Sequence, residues 1–412
     1  MNGYGTVYAP FKVTTAVNGS DTLQVGDFSA EQRWDVDEID IVIGVLTSGI
    51  VRVGYGALAN NPMIYETDAV TSGESIRLKN LGVDNINQGA INVYYNADAV
   101  DVKMNLGAHM VKQTKKVWLQ QTAPAFAART EGKSISFNGN LLFMGGKDAT
   151  TVYNDVWQST DNGETWTEIT GVPFTARWAF GLVELDGALY VIGGHSNVGA
   201  TASLNDVWKS LDGGATWTII QPSASFLEFG EGLSVVLGSL IYVYSGYNGN
   251  TGIYSQTVWS SPDGITWTEV ALSVPWVRRK LAGGLNWNNK LWLIGGRNAV
   301  GARQDVWSSR DGNQWIQDNE PLPFPARYGF GVLPFNQNRN LYLFGGSGDG
   351  TWLNDVWSSP DAGFWYEENA SADFSAREGF ASCIHNRSIF IIGGINNLTY
   401  YNDVFRTNLE LM

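Results

Sequence analysis

Five arginines recur at one place in a repeating unit of about fifty residues: Arg129, Arg177, Arg279, Arg327 and Arg377, with Glu228 at the equivalent place in the remaining copy. A guanidinium is a planar fork of donors suited to carboxylates, and five of them around one opening repel unless neutralised. Each therefore either pairs with a nearby carboxylate or the set awaits an anion. Aromatic residues stand close by in sequence: Trp178, Tyr328, Trp276, Trp352, Tyr247, Tyr400 and Tyr401. Such rings beside the loops Asn248-Gly249-Asn250 and Asn396-Asn397 would make a sugar platform, because CH groups stack on a ring while hydroxyls bond to amides. The five arginines, Glu228, Trp178, Tyr328, Trp276 and Trp352 are thus the expected ligand-binding residues.

Other chemistry lacks its residues. The histidines His109, His195 and His385 are scattered without metal-ligand spacing, and Cys383 is the only cysteine, so no intrachain disulfide or thiolate zinc site can form. No metal, no cofactor and no catalytic residue is expected.

The arginines must be positioned by the repeat itself. Trp118, Trp166, Trp217, Trp267, Trp315 and Trp365 are 48 to 51 residues apart, in step with Trp157, Trp208, Trp259, Trp307, Trp357 and Phe405. Gly pairs end an apolar run at Gly145-Gly146, Gly193-Gly194, Gly295-Gly296, Gly345-Gly346 and Gly393-Gly394, with Ser245-Gly246 in the sixth copy. Within one copy, Phe180 to Glu184, a turn at Asp186-Gly187 and Ala188 to Ile192 read as a hairpin. Asn205 to Ser210 and a segment carrying Trp217 supply two further strands. Six such four-stranded sheets, each unable to bury both faces alone, predict an all-β, six-bladed β-propeller. The last copy stops before its fourth strand, whereas Val117-Trp118-Leu119 is a fourth strand without a copy. The two ends are expected to complete one blade, removing open sheet edges.

The Gly-Gly doublets, the Asn-Asp-Val-Trp segments and the fifty-residue spacing resemble kelch repeats over about 295 residues. Ser159 to Trp166 and Ser210 to Trp217 are similar to the Asp-box of sialidase-type propellers, with shorter or degenerate versions around Asp263, Asp311 and Asp361. The resemblance implies that Asp161, Asp212, Asp263, Asp311 and Asp361 are structural turn residues, and that arginines at the strand entry contact ligand, as in kelch propellers that bind acidic peptides. It also offers an alternative, sialidase-like glycoside hydrolysis, with Tyr328 and Glu228 or Glu378 in supporting roles. The copper-oxidase activity found in the kelch family needs a Tyr-Cys crosslink and two histidines, a set that is not assembled here. The Asp-box turns lie on one face; the loops that differ from blade to blade lie on the other, where specificity is expected.

Residues 1–112 contain β-rich runs separated by Gly, Asn and Asp clusters, which predicts a small β-sandwich of six to eight strands ahead of the propeller at 113–412. The formal net charge of -14 argues against nucleic acid or an anionic membrane as partner of the whole surface, and no apolar run is long enough to insert. No secretory signal is evident at the start, so a protein made in a cytoplasm is expected. A β domain followed by a ligand-type propeller looks like bacteriophage virion and tail appendages. That analogy implies a non-enzymatic, virion-surface protein whose propeller binds a host-surface glycan or protein, and whose residues 1–112 contact other virion proteins. A purely structural decoration is the other alternative, and assembly on a particle would imply a homo-oligomer.

Overall fold

The computed structural model describes residues 118–226, 229–318, 322–335 and 340–407, and before them the backbone of seven strands. By its internal contacts the chain divides into two units, Met1–Lys115 with Leu411–Met412, and Lys116–Glu410. In the first unit, the seven strands pair into a four-stranded and a three-stranded antiparallel sheet, the latter centred on Trp34–Ile43. The predicted packing of these sheets into a sandwich lies outside the described residues.

The second unit is a ring of six four-stranded antiparallel blades. Blade 1 comprises Lys133–Phe137, Asn140–Met144, Val156–Ser159 and Thr167–Ile169. Blades 2 to 5 begin at Gly181, Leu233, Gly283 and Gly331. Blade 6 comprises Ala381–His385, Ser388–Ile392 and Val404–Thr407, and takes its outer strand, Trp118–Gln120, from the other end of the repeats. Thr407 faces Trp118, Arg406 faces Leu119 and Phe405 faces Gln120. The ring closes as the sequence predicts, and no helix occurs among the described residues.

Local chemistry explains the blades. The first hairpin of blade 1 turns at Asn138-Gly139, with φ of 48° and 79°, and that of blade 2 at Asp186-Gly187, with 50° and 74°. Both residues of each pair need positive φ, the geometry that suits the twist of the flanking strands and favours Asn, Asp and Gly. The Gly doublets serve another purpose. A Cβ on Gly145 would stand 2.7 Å from the Arg177 carbonyl oxygen, so the missing side chain lets successive blades approach backbone to backbone, sealed by Gly146 N–H donating to that oxygen at 2.9 Å. In blade 3, Ser245 replaces the first glycine and its hydroxyl donates to the Arg279 carbonyl at 2.8 Å.

The tryptophans form the seams. Each outer-strand Trp receives an aromatic ring edge-on: Phe126 on Trp166, Phe174 on Trp217, Phe226 on Trp267, Trp276 on Trp315, Phe324 on Trp365 and Phe374 on Trp118. Their centroids lie 4.8–5.8 Å apart. Such edge-to-face pairs contribute about 0.5–1.5 kcal/mol each beyond area burial. Every incoming ring stands three residues before the strand-entry position. Trp276, expected at a ligand platform, is therefore the blade-4 member of this series and is 2% exposed.

Candidate binding site at the channel mouth

The five arginines do not face solvent. Arg129 is 1% exposed and the other four 0%. Each lies bidentate on the carboxylate that precedes the Val of its own third strand: Asp155, Asp206, Asp305, Asp355 and Asp403. The same guanidinium donates to a Gly-doublet carbonyl and, through Nε, to the carbonyl two residues back. Four of its five N–H donors are thereby used, which corrects the expectation that these arginines await a ligand. The partner carboxylates also accept the indole N–H of Trp157, Trp208, Trp307 and Trp357 at 2.7–2.8 Å. The preceding Asn or Gln pins the connection to the next blade, as Asn354 Nδ2 does on Ala372 and Phe374. Tyr401 stacks on Arg377 at 3.9 Å and belongs to that clamp. Glu228 lies outside the described residues. The strand-entry slot of blade 3 is held instead by Phe229, whose carbonyl accepts from Gly194 N just as that of Arg177 accepts from Gly146 N.

Lining the channel are the two residues that follow each strand-entry position. The second of them forms a closed collar of backbone hydrogen bonds: Glu131 N to Gly379 O, Gly379 to Gly329, Gly329 to Leu281, Leu281 to Glu231, Glu231 to Ala179 and Ala179 to Glu131, at 2.6–2.9 Å. All six are in the left-handed region, φ 51–64°, although four carry side chains. A strained backbone persists only where its surroundings over-determine it, and here each amide is fixed by both ring neighbours.

The first of the two residues forms a bridge with the residue immediately after the Gly doublet: Thr130 with Lys147, Trp178 with His195, Gly230 with Tyr247, Lys280 with Arg297, Tyr328 with Ser347 and Glu378 with Ile395. These rows place charge and rings on the loop face. Lys147 Nζ stands 3.5 Å above the Trp178 ring, and the Arg297 guanidinium 4.5 Å above Tyr328. No carboxylate pairs with either cation among the described residues. Trp178 and Tyr328 thus stand at the mouth, yet they are 3% and 7% exposed and act as beds for cations more than as open platforms. Tyr247 packs at a tilt against Tyr254 and lies under Lys280, and Tyr400 sits in a two-stranded ribbon with Ile395. Trp352 is close to Glu378, and its buried indole N–H favours the charged form of that carboxyl.

Three carboxylates share the mouth. Burial raises Glu131 above the ordinary carboxylate range, opposed by Lys133 and reinforced by Glu231. Burial and the repulsion of Glu131 push Glu378 up to about 7. Burial acts on Glu231 in the same sense, but His195 and Lys280, the latter at 2.8 Å, more than reverse it and hold the carboxyl low.

Ser203, His195 and Glu231 stand in sequence, with Ser203 Oγ 2.9 Å from His195 Nδ1 and His195 Nε2 3.6 Å from Glu231. This is a nucleophile–base–carboxylate order, yet the Ser203 hydroxyl is buried and accepts the Gly249 N–H at 2.7 Å. A nucleophile must reach a substrate carbon, and this one braces a loop.

On the opposite face the Asp-box residues close their own turns. Asp161 accepts from Ser159 Oγ, Thr165 N and Thr165 Oγ1, and these bonds hold its pKa at about 2. Asp212 repeats this pattern, and Asp263, Asp311 and Asp361 accept from backbone amides two and three residues on.

The mouth residues that sequence reading missed, Glu131, Lys147, Glu231, Lys280 and Arg297, had a usable signal. Lys147 and Arg297 directly follow Gly doublets, and Glu131, Glu231 and Lys280 stand one or two places after the strand-entry slot.

Six four-stranded blades around a central channel, clamped at each Gly doublet, define a six-bladed β-propeller. Residues 233–412, from the first strand of blade 3 onward, match the family model described as the KLHDC2/KLHL20/DRC7 Kelch-repeats domain. No curated protein matches the chain. The kelch-repeat match points to a binding or protein-interaction role.

Proposed function

We propose that this protein is a non-enzymatic binding protein of a virion surface or tail appendage, whose propeller binds a host-surface glycan or protein on the loop face. Residues 1–112 are its attachment to other virion proteins. The observation that carries the binding reading is the pair of cations at the mouth, Lys147 on Trp178 and Arg297 on Tyr328, held in place by rings and left without carboxylate partners. Cations seated on aromatic faces and in no direct ion pair with a carboxylate of the protein suit an anionic group of a ligand.

The test is adsorption of the purified protein to bacterial cells or envelope fractions, comparing it with Lys147→Ala/Arg297→Ala. The double variant is expected to lose at least tenfold in retention at unchanged melting temperature; equal retention would reject the mouth as the binding site. Release of sugar from a fluorogenic sialoside would favour the hydrolase alternative.

A further inference from the structure

Blade 3 is the copy that breaks the repeat, and the break leaves a space. Elsewhere the region between the strand entry and the third strand is filled by a guanidinium on a carboxylate. In blade 3 these positions are Phe229 and Thr257. The Phe229 ring turns toward Phe226, centroids 5.4 Å apart, and Thr257 Oγ1 accepts the Trp259 indole N–H at 3.2 Å in place of an aspartate. Where the clamp would stand is a cavity of about 160 Å³, lined chiefly by apolar atoms, Phe229, Tyr244, Tyr254 and Trp259 among them, with Arg278 at its edge.

Arg278 is exposed and spends only Nε, on Gln256 Oε1 at 2.7 Å; no carboxylate pairs with it among the described residues. Beside the opening, Ile253 and Val277 are 49% and 50% exposed. An apolar cavity of roughly 150 Å³ holds one benzene ring, and walls whose exposed surface is chiefly apolar favour a ring over a set of hydroxyls. Exposed apolar residues around a pocket with an unpaired arginine are features of a protein-docking rim.

We infer that this cavity is an anchor subsite for an aromatic side chain of a protein ligand, with an acidic group next to that ring meeting Arg278. The inference rests on the binding role proposed above and narrows its ligand to protein. The pocket sits on the loop side, between the two-stranded ribbon Tyr247–Asn248/Ile253–Tyr254 and the entry to blade 4.

The probe is 4-fluorophenylacetate, followed by fluorine NMR on the full chain, with glucuronate as a ring carboxylate of sugar type. Saturable binding of the aryl acid is expected, about tenfold weaker in Arg278→Gln, and abolished in Phe229→Arg/Thr257→Asp. That double variant installs the clamp of the other five blades and is expected to melt no lower than the parent. Should it fail to fold, Ser255→Phe, which fills the opening from the loop, is expected to block binding in its place. Absence of saturable binding, retention by both blocking variants, or equal binding of glucuronate would overturn the inference. Because the probe needs neither Lys147 nor Arg297, its result is separable from the cell-adsorption test.

Discussion

The guanidinium of Arg327 lies on the carboxylate of Asp355 through two parallel hydrogen bonds of 2.7 Å, with the arginine 0% and the aspartate 8% exposed. Arg327→Ala leaves that carboxylate buried and uncompensated, and is expected to cost about 3–5 kcal/mol. Arg327→Met with Asp355→Leu should recover part of the loss, because a buried pair removed whole leaves no orphaned charge, although it frees the buried Trp357 indole N–H. Denaturant unfolding of the parent and the two variants checks this; equal stability of the single variant and the parent would remove the clamp from the structural account.

Glu378 titrates near 7 because burial and Glu131 disfavour its charge. The folded state therefore binds this proton more tightly than the unfolded chain does. The stability it contributes below about pH 4.5 is lost as pH rises through 7. Glu378→Gln should match the parent at pH 5 and exceed it by about 1–3 kcal/mol at pH 8. Thermal melts at both pH values measure the difference, and a variant less stable at pH 8 would contradict it.

The closing strand makes a third case. A chain truncated to start at residue 122 lacks Trp118–Gln120 and bares the edge of Val404–Thr407. Unpaired edges recruit other chains. Size-exclusion chromatography should show oligomers or aggregate, whereas a chain starting at residue 116 should elute as the parent propeller does.

The collar discriminates between neighbours of equal backbone shape. Gly379 and Ala179 both have positive φ, 64° and 51°, but a Cβ at Gly379 would press on Thr130 Oγ1 and stand 2.8 Å from Glu131 Oε1. Gly379→Ala should cost about 1–3 kcal/mol and Ala179→Gly less than about 1 kcal/mol. Unfolding midpoints at constant slope would show the contrast; identical costs would mean that φ alone decides.

The sequence by itself determined the repeat, the four-strand blade, the turns and the ring closure, since each depends on residues close in the chain or on a period of about fifty. Asn138-Gly139 dictates its hairpin, and Trp118 announces an outer strand wherever it is found. What the arginines do was decided only in three dimensions. Arg177 and Asp206 are 29 residues apart in sequence, and whether their charges cancel or face a ligand depends on burial between strands that no local pattern reports. Trp276 looked like a free ring until the fold set it on Trp315, and Glu228 yielded its expected slot to Phe229. The channel mouth likewise arises from all six blades meeting at one axis, so that Glu131, Glu231 and Glu378, nearly 250 residues apart at the extremes, perturb one another's protons. Electrostatics and packing act across space, and the repeat fixes that space only after the ring has closed.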